Sequence, residues 1–118
     1  MAGRPEEVFA VLCLDTQCRL LKADIVAEGT VNGARVEPRH VVESALRHRA
    51  TAVVLAHNHP QGTARPSPDD RRVTRLLADA LSPLGIRLLD HVVVAGDSTF
   101  SFAREGLLSE QKPDGGRG

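Results

Sequence analysis

Aromatic residues are scarce in this chain of 118 residues, which has no Trp, no Tyr and only three Phe. Proteins that bind single-stranded nucleic acid commonly stack bases on aromatic rings, and few rings are available here. Net charge is also lacking, because 15 basic residues are balanced by 15 acidic ones. Without a basic excess to neutralise phosphates, strong binding to nucleic acid is not expected.

Long apolar runs are missing as well. No stretch approaches the roughly 18 apolar residues of a membrane-spanning helix, and the N-terminal sequence MAGRPEE lacks the apolar core of a signal peptide. The two cysteines, Cys13 and Cys18, need not pair in a reducing compartment. These features predict a cytoplasmic protein without membrane contact, and nothing in the sequence indicates its oligomeric state.

The alternation of apolar runs and turn-forming residues predicts an α/β fold with a mixed sheet flanked by helices. Residues 8–14 read as a strand buried on both faces, and residues 19–27 as its hairpin partner. A helix over 38–49, a strand over 51–57, a second helix after Ser67 and a hairpin over 86–102 follow. A chain of this length can bury the core of one compact domain, which we predict to span 6–108, with a disordered tail over 109–118.

Each predicted helix has an apolar stripe at helical spacing. In the first helix the stripe consists of Val41, Val42, Ala45 and Leu46. In the second helix it consists of Val73, Leu76, Leu77, Ala80, Leu81 and Leu84. We expect these side chains to face the core, and we expect the arginines of the second helix to lie on its solvated side.

Two histidines stand at the end of the strand over 51–57. In an extended strand, the spacing of His57 and His59 places both imidazoles on one side of the backbone. A loop then leads to Ser67-Pro68, a typical helix start, with Asp70 in the first turn. Two ring nitrogens and one carboxylate oxygen leave the fourth position of a tetrahedral zinc ion open, as in catalytic zinc sites. Each feature alone has an ordinary structural explanation, but their combination favours a metal site.

The pattern His-x-His-x7-Ser-x2-Asp resembles the JAMM motif of MPN-domain metallopeptidases, with His57, His59, Ser67 and Asp70 in its four positions. The segments LAHNHP, PSPDD, GIRLLDH and SFAREG are similar to the bacterial RadC family in particular. The resemblance covers residues 6–108. It implies an MPN fold, one zinc ion per chain held by His57, His59 and Asp70, and hydrolysis of a peptide or isopeptide bond.

Hydrolysis of this kind also needs a general base. In the family the motif glutamate stands just before the first buried strand, which selects Glu7; Glu28, at the end of the second strand, is the rival candidate. Two roles are open for Ser67. Its hydroxyl can cap the helix, or it can donate to the oxyanion formed when water attacks a carbonyl, as the resemblance implies. One hydroxyl could serve both purposes.

Asp90 and His91 interrupt an otherwise apolar strand, so one of them must face away from the core or find a polar partner. A hydrogen bond to a metal-bound imidazole would be one explanation. A purely structural hydrogen bond is the other, and the sequence favours it.

Other functions compete with this hypothesis. Non-haem iron also takes two histidines and a carboxylate, so zinc is inferred chiefly from the resemblance. A zinc nucleobase deaminase is excluded, because the His-x-Glu and Pro-Cys-x-x-Cys signatures are absent. The main alternative is a metal-binding interaction module without hydrolytic activity, linked to the DNA-repair role associated with RadC-like proteins. Such proteins usually carry an N-terminal helix-hairpin-helix-type region, which we expect this chain to lack, and the balanced charge also argues against a DNA-linked role.

Overall fold

The computed structural model describes residues 7–29, 36–60 and 63–108. In chain order the elements are β1 (Glu7–Leu14), β2 (Leu20–Gly29), α1 (Pro38–Arg47), β3 (Ala52–Asn58), α2 (Pro68–Leu81), a 3₁₀ turn (Ser82–Leu84), β4 (Arg87–Ala95) and β5 (Ser98–Ser101). The predicted tail over 109–118 lies outside the described residues, so its disorder stays a prediction.

The five strands form one mixed sheet in the order β2-β1-β3-β4-β5. β1 pairs antiparallel with both β2 and β3, whereas β3 and β4 are parallel neighbours, and β5 returns antiparallel to β4. α1 therefore connects β2 to β3 across β1, and α2 connects β3 to β4, as parallel strands require. The α/β class with a mixed sheet flanked by helices is confirmed.

The core lies between the two helices and one face of the sheet. Phe9, Val11 and Cys13 are buried on β1, and their neighbours on β3 include Leu55, which pairs with Val11. Buried residues of both helices belong to the same apolar cluster. The intervening β1 residues are only partly buried. The expectation that β1 is buried on both faces was therefore wrong, because both helices pack on one face.

The buried stripe of α1 differs from the prediction. Leu46, predicted to be buried, is 54% exposed, and Ser44 occupies a buried position instead. The Ser44 hydroxyl donates to Oδ2 of Asp24 on β2 at 2.6 Å, so this polar group has a partner inside the fold. The remaining predicted members pack on the core as expected: Val41, Val42 and Ala45.

The stripe of α2 is displaced in the same way. Leu76 and Leu84 are 43% and 48% exposed, while Thr74 and Ala78 are buried. Leu84 lies in the 3₁₀ turn beyond the helix, where the helical period no longer sets side-chain direction. Thr74 is tolerated inside because its hydroxyl donates to the carbonyl oxygen of Asp70 at 2.7 Å. The other predicted residues are buried or partly buried: Val73, Leu77, Ala80 and Leu81.

Both helices are short, with 10 residues in α1 and 14 in α2. Each begins with a proline, at Pro38 and Pro68, where the missing amide proton costs no intrahelical bond. Gly85, with φ of 75°, ends the 3₁₀ turn in the left-handed conformation that glycine adopts readily. Within the three described ranges, no helix has the length and apolar character needed to cross a membrane.

Candidate metal centre

The order of the strands brings distant parts of the sequence together at one end of the sheet. Because β1 and β3 are antiparallel, the beginning of β1 lies beside the end of β3, and Phe9 pairs with His57. Glu7 stands two residues before Phe9, on the same face of β1. α2 begins shortly after β3 and brings Asp70 to the same place, within 4 Å of both motif histidines. Three separate elements therefore supply the side chains of the site.

The two motif histidines lie edge to face, with ring centroids 4.8 Å apart. His59 Nδ1 lies 2.8 Å from the carbonyl oxygen of Thr63. Since a carbonyl can only accept, Nδ1 carries the proton, and Nε2 of the neutral ring has a free lone pair. This Nε2 lies 3.2 Å from Oδ2 of Asp70. Two acceptors this close are stabilised by a positive charge between them, either a proton or a metal ion.

His57 is almost fully buried, and its two ring nitrogens face different carboxylates. Nε2 lies 3.7 Å from Oε1 of Glu7, and Nδ1 lies 3.8 Å from Oδ1 of Asp70. Nδ1 is buried and has no hydrogen-bond partner in the described structure. Burial lowers the pKa of His57 below its ordinary value, although the Asp70 and Glu7 carboxylates oppose this effect. A neutral imidazole is the form that binds metals.

Asp70 also belongs to the start of α2. Its Oδ2 accepts from the amide of Ser67 at 2.9 Å, and Ser67 Oγ accepts from the amide of Asp70 at 3.0 Å. The two residues thus form a capping box, which satisfies two amide groups at the helix start. The capping role predicted for Ser67 is confirmed. Its proposed role as an oxyanion donor stays a prediction, and the cap leaves the hydroxyl proton available for it.

The structure separates the two candidates for the general base. Glu7 is 16% exposed and close to His57. Glu28 pairs with Val8, the residue after Glu7, so its side chain projects to the opposite face of the sheet from Phe9 and His57. Glu28 is exposed. Geometry therefore favours Glu7, although its catalytic role stays a prediction.

The donor set fits a divalent metal ion. One ligand atom each from Glu7, His57 and His59 lie within 4.8 Å of one another. Asp70 contacts both imidazoles and was predicted as the third ligand, whereas Glu7 contacts His57. Two neutral imidazoles and a carboxylate suit zinc, and they also suit iron. The structure thus brings both candidate carboxylates to the two motif histidines.

Comparison with known proteins assigns the chain to a family. The family described as the RadC-like JAB domain matches residues 1–107. The chain belongs to this family. The sequence-based assignment to RadC is therefore confirmed.

Several relatives of this RadC-like JAB domain are about equally similar to it. It is 52% identical over 108 residues to a UPF0758 protein of Vibrio atlanticus, covering 92% of this chain and 48% of the relative. Identity reaches 55% over 104 residues with a UPF0758 protein of Thioalkalivibrio sulfidiphilus, covering 88% and 46%. With a UPF0758 protein of Methylibium petroleiphilum it is 53% over 108 residues, covering 92% and 49%. The chain spans about half the length of the curated relatives it matches.

Asn58 lies between the two histidines, and sequence reasoning gave it no role. Its Oδ1 accepts from the amide of Val8 at 2.6 Å. In this RadC-like domain the bond attaches the residue after Glu7 to the end of β3. It therefore holds the backbone next to Glu7 beside the two histidines. Strand alternation directs Asn58 away from the two imidazoles. This feature of the sequence could have indicated that Asn58 contacts something other than the metal site.

His91 is the second residue whose placement the sequence left open. It is fully buried on β4, stacks on Phe102 with ring centroids 4.6 Å apart, and lies 5.7 Å from the ring of His57. Thr74 uses its hydroxyl proton on Asp70, so its oxygen accepts from Nδ1–H of His91 at 2.6 Å. A hydrogen-bonded chain thus runs from His91 to the backbone of Asp70. The contact reaches the metal site indirectly, without a direct bond to His57.

Asp90 has a structural role. Its Oδ1 accepts from the amides of His91 and Ala103, and its Oδ2 accepts from the hydroxyl of Ser101. These bonds attach the turn after β5 to β4, which keeps Phe102 against His91. The structural explanation favoured by the sequence is confirmed for Asp90.

Proposed function

We propose that this chain is a zinc-dependent hydrolase that cleaves a peptide or isopeptide bond. The observation that carries the proposal is the meeting of His57, His59 and Asp70, in which one ring nitrogen of each histidine faces a carboxylate oxygen of Asp70, at 3.8 Å and 3.2 Å respectively. Groups arranged in this way attract a cation. Membership in the RadC-like JAB domain family supports the same function.

In this proposal His57, His59 and Asp70 hold the metal, and the Glu7 carboxylate transfers the proton. Asp70 lies within 4 Å of both imidazoles, whereas Glu7 lies 3.7 Å from Nε2 of His57 and has a ligand atom within 4.8 Å of one of His59. The Thr63 carbonyl holds His59 in the tautomer that directs Nε2 toward Asp70, an orienting contact typical of metal-binding histidines. Zinc is preferred to iron because hydrolysis requires a Lewis acid and no change of oxidation state.

A bound zinc ion supplies a Lewis acid that polarises the carbonyl and lowers the pKa of water. The Glu7 carboxylate takes the proton from the attacking water and passes it to the departing amine. The Ser67 hydroxyl, already fixed by its bond from the Asp70 amide, donates to the oxygen that becomes negative in the transition state. Phe9 packs against His57 with ring centroids 5.3 Å apart and limits the access of water to that imidazole.

A reducing, cytoplasmic setting is part of the same proposal. Cys13 and Cys18 are both free, and Cys18 is exposed. Free thiols persist where the cell keeps them reduced.

The decisive experiment measures metal content and hydrolysis together. Wild-type protein purified without chelators should contain about one zinc per chain, and it should hydrolyse members of a peptide and isopeptide library in a zinc-dependent manner. His59→Ala should lose both properties, whereas His40→Ala, which removes an exposed histidine of α1, should keep both.

Two results would contradict the proposal in different ways. Wild-type protein without metal, and without any shift in melting temperature on zinc addition, would remove the metal site. Stoichiometric zinc with library rates equal to buffer would instead favour the metal-binding interaction module.

A further inference from the structure

A cleft of about 310 Å³ lies along α2 beside the candidate metal centre. One wall is cationic and the other is apolar. The residues that define it are Arg71, Arg72, Arg75, Ala78, Leu107 and Leu108. The arginines were expected to form a simple solvated face, but the segment at Leu107–Leu108 folds back beside them and turns that face into a cavity.

The charges in this cleft are only partly neutralised. Arg72 forms an ion pair with Asp69, with Nη2 and Oδ1 2.9 Å apart. The structure of the described residues shows no ion pair for Arg71 or Arg75. These two are four residues apart on one helix, and like charges at that spacing destabilise a helix. An anionic ligand would remove this repulsion.

The cleft and the candidate metal centre involve neighbouring residues at the start of α2. Pro68, in its lining, directly follows Ser67, and Arg71 directly follows Asp70. Thr74 also lines the cleft and donates to the carbonyl of Asp70. A chain bound in the cleft would therefore pass close to the start of α2, where Ser67 and Asp70 lie.

We propose that this cleft binds the carboxylate side chains of an acidic polypeptide segment of the substrate, next to the bond that is hydrolysed. Arginine pairs with carboxylates through two parallel hydrogen bonds, and Arg71 and Arg75 are available for such pairs. Ala78, Leu107 and Leu108 would contact the aliphatic parts of the same segment.

A polypeptide suits this cleft better than a nucleic acid does. Among the described residues that line it none is aromatic, so bases find no stacking surface there. Asp69 pairs with Arg72, so few unpaired cations remain to neutralise the successive phosphates of a nucleic acid. A volume of about 310 Å³ accommodates a few side chains, at the lower limit of the usual range for ligand pockets.

The test uses fluorescence anisotropy with a labelled octapeptide of alternating Glu and Leu, and a matched peptide of Gln and Leu. The zinc-treated full chain should bind the acidic peptide roughly tenfold more tightly, corresponding to about 1.4 kcal/mol. Arg71→Gln/Arg75→Gln should abolish this preference, whereas Arg39→Gln, which removes an exposed arginine of α1, should keep it. Melting temperatures should match in all three proteins, because these side chains are exposed.

Because this inference rests on the hydrolytic function proposed above, the two must be able to fail separately. An arginine-dependent preference for the acidic peptide supports the cleft even where no hydrolysis is detected. Suppose that acidic and neutral peptides are bound equally and hydrolysed at equal kcat/KM. This result would contradict the proposed role of the cleft and leave the proposed hydrolytic function intact. An equal loss of binding in Arg39→Gln, or tighter arginine-dependent binding of duplex DNA than of the acidic peptide, also overturns it.

Discussion

Nε2 of His59 lies 3.2 Å from Oδ2 of Asp70, while Nδ1 of the same ring donates to the carbonyl of Thr63. The same carboxylate oxygen accepts from the amide of Ser67. Asp70 therefore connects the start of α2 to the end of β3, and its charge is directed toward a histidine that has no proton left to donate in its neutral form. The helix cap and the proposed metal site use the same carboxylate.

This double role of Asp70 predicts a selective effect on metal affinity. Asp70→Asn retains an oxygen that can accept from Ser67, but it removes the negative charge. Mutation of residues that only orient a ligand typically weakens metal binding 10- to 100-fold, so we expect more than about 100-fold here. Competition with a chromophoric chelator measures the affinity. Asp69→Asn, an exposed neighbour paired with Arg72, is the control, and equal zinc affinities in the two variants would exclude Asp70 as a ligand.

The position of Glu7 beside His57 predicts that a substitution at Glu7 affects catalysis without affecting metal binding. Glu7→Gln should keep the zinc and lower kcat by about 10²- to 10⁴-fold, the usual contribution of a general base. Glu28→Gln, on the other face of the sheet, should leave the rate nearly unchanged. Steady-state kinetics and metal analysis on the same preparations test this. Loss of zinc in Glu7→Gln would instead make Glu7 a ligand, and unchanged kcat would remove it from the mechanism.

The two roles of Ser67 can be separated by substitution. Ser67→Ala removes the cap and should cost about 1 kcal/mol of unfolding free energy. Ser67→Asp keeps a good capping oxygen but offers no proton at neutral pH, so it should be near wild type in stability and low in activity. Losing one donor to a developing oxyanion typically lowers kcat about 10²- to 10³-fold. Urea unfolding, zinc content and kcat are compared for each. Full activity in a zinc-loaded Ser67→Asp protein would leave Ser67 with the capping role alone.

Local sequence patterns predicted much of this fold and site. The apolar run ending at His57 and the Ser67-Pro68 helix start depend on neighbours in the chain, and both have the predicted structure. The choice between Glu7 and Glu28 depends on strand register, since pairing with Val8 turns Glu28 to the far face. No local pattern contains that register.

Local patterns also could not predict which residues of each helix face the core. Periodicity predicts that Leu76 is a core residue, but Thr74 is buried instead. The Thr74 hydroxyl is hydrogen-bonded to both Asp70 and His91, which are distant from each other in sequence. Likewise, Ser44 is buried because Asp24 on β2 accepts its proton. Tertiary hydrogen bonds of this kind let polar residues replace leucines in the core.

Stability should fall in mild acid because of buried imidazoles. Burial, with a smaller contribution from His57, lowers the pKa of His91 from 6.5 to about 4, against the opposing effect of Asp70 and Asp90; burial also lowers the pKa of His57. As the pH falls through about 6.5, these two histidines therefore become protonated in the unfolded chain but stay neutral in the folded chain. Stability is fully present above that pH and is lost as the pH falls from 6.5 toward 4.

The size of this effect can be measured by urea unfolding of chelator-treated protein. Between pH 7.5 and pH 5, His91 alone should remove about 2 kcal/mol of unfolding free energy. His91→Phe should reduce the pH dependence, since the ring that resists protonation is gone. His40→Asn, which removes an exposed imidazole, should keep the wild-type dependence. A stability that stays constant over this range would show that His91 does not remain neutral in the fold.

The balanced charge predicts weak binding to DNA. Non-specific affinity depends on phosphate neutralisation and decreases steeply with salt, and this chain has 15 basic and 15 acidic residues. Its densest basic group, on α2, includes an Arg72 already paired with Asp69. We therefore expect no duplex binding tighter than roughly 10⁻⁴ to 10⁻⁶ M at physiological salt. Anisotropy titration of a labelled duplex at about 150 mM salt measures this. Saturable nanomolar binding that Arg71→Gln/Arg75→Gln abolishes would contradict the prediction, because it would show that a few arginines beside the metal centre are enough to hold DNA despite the absence of net charge.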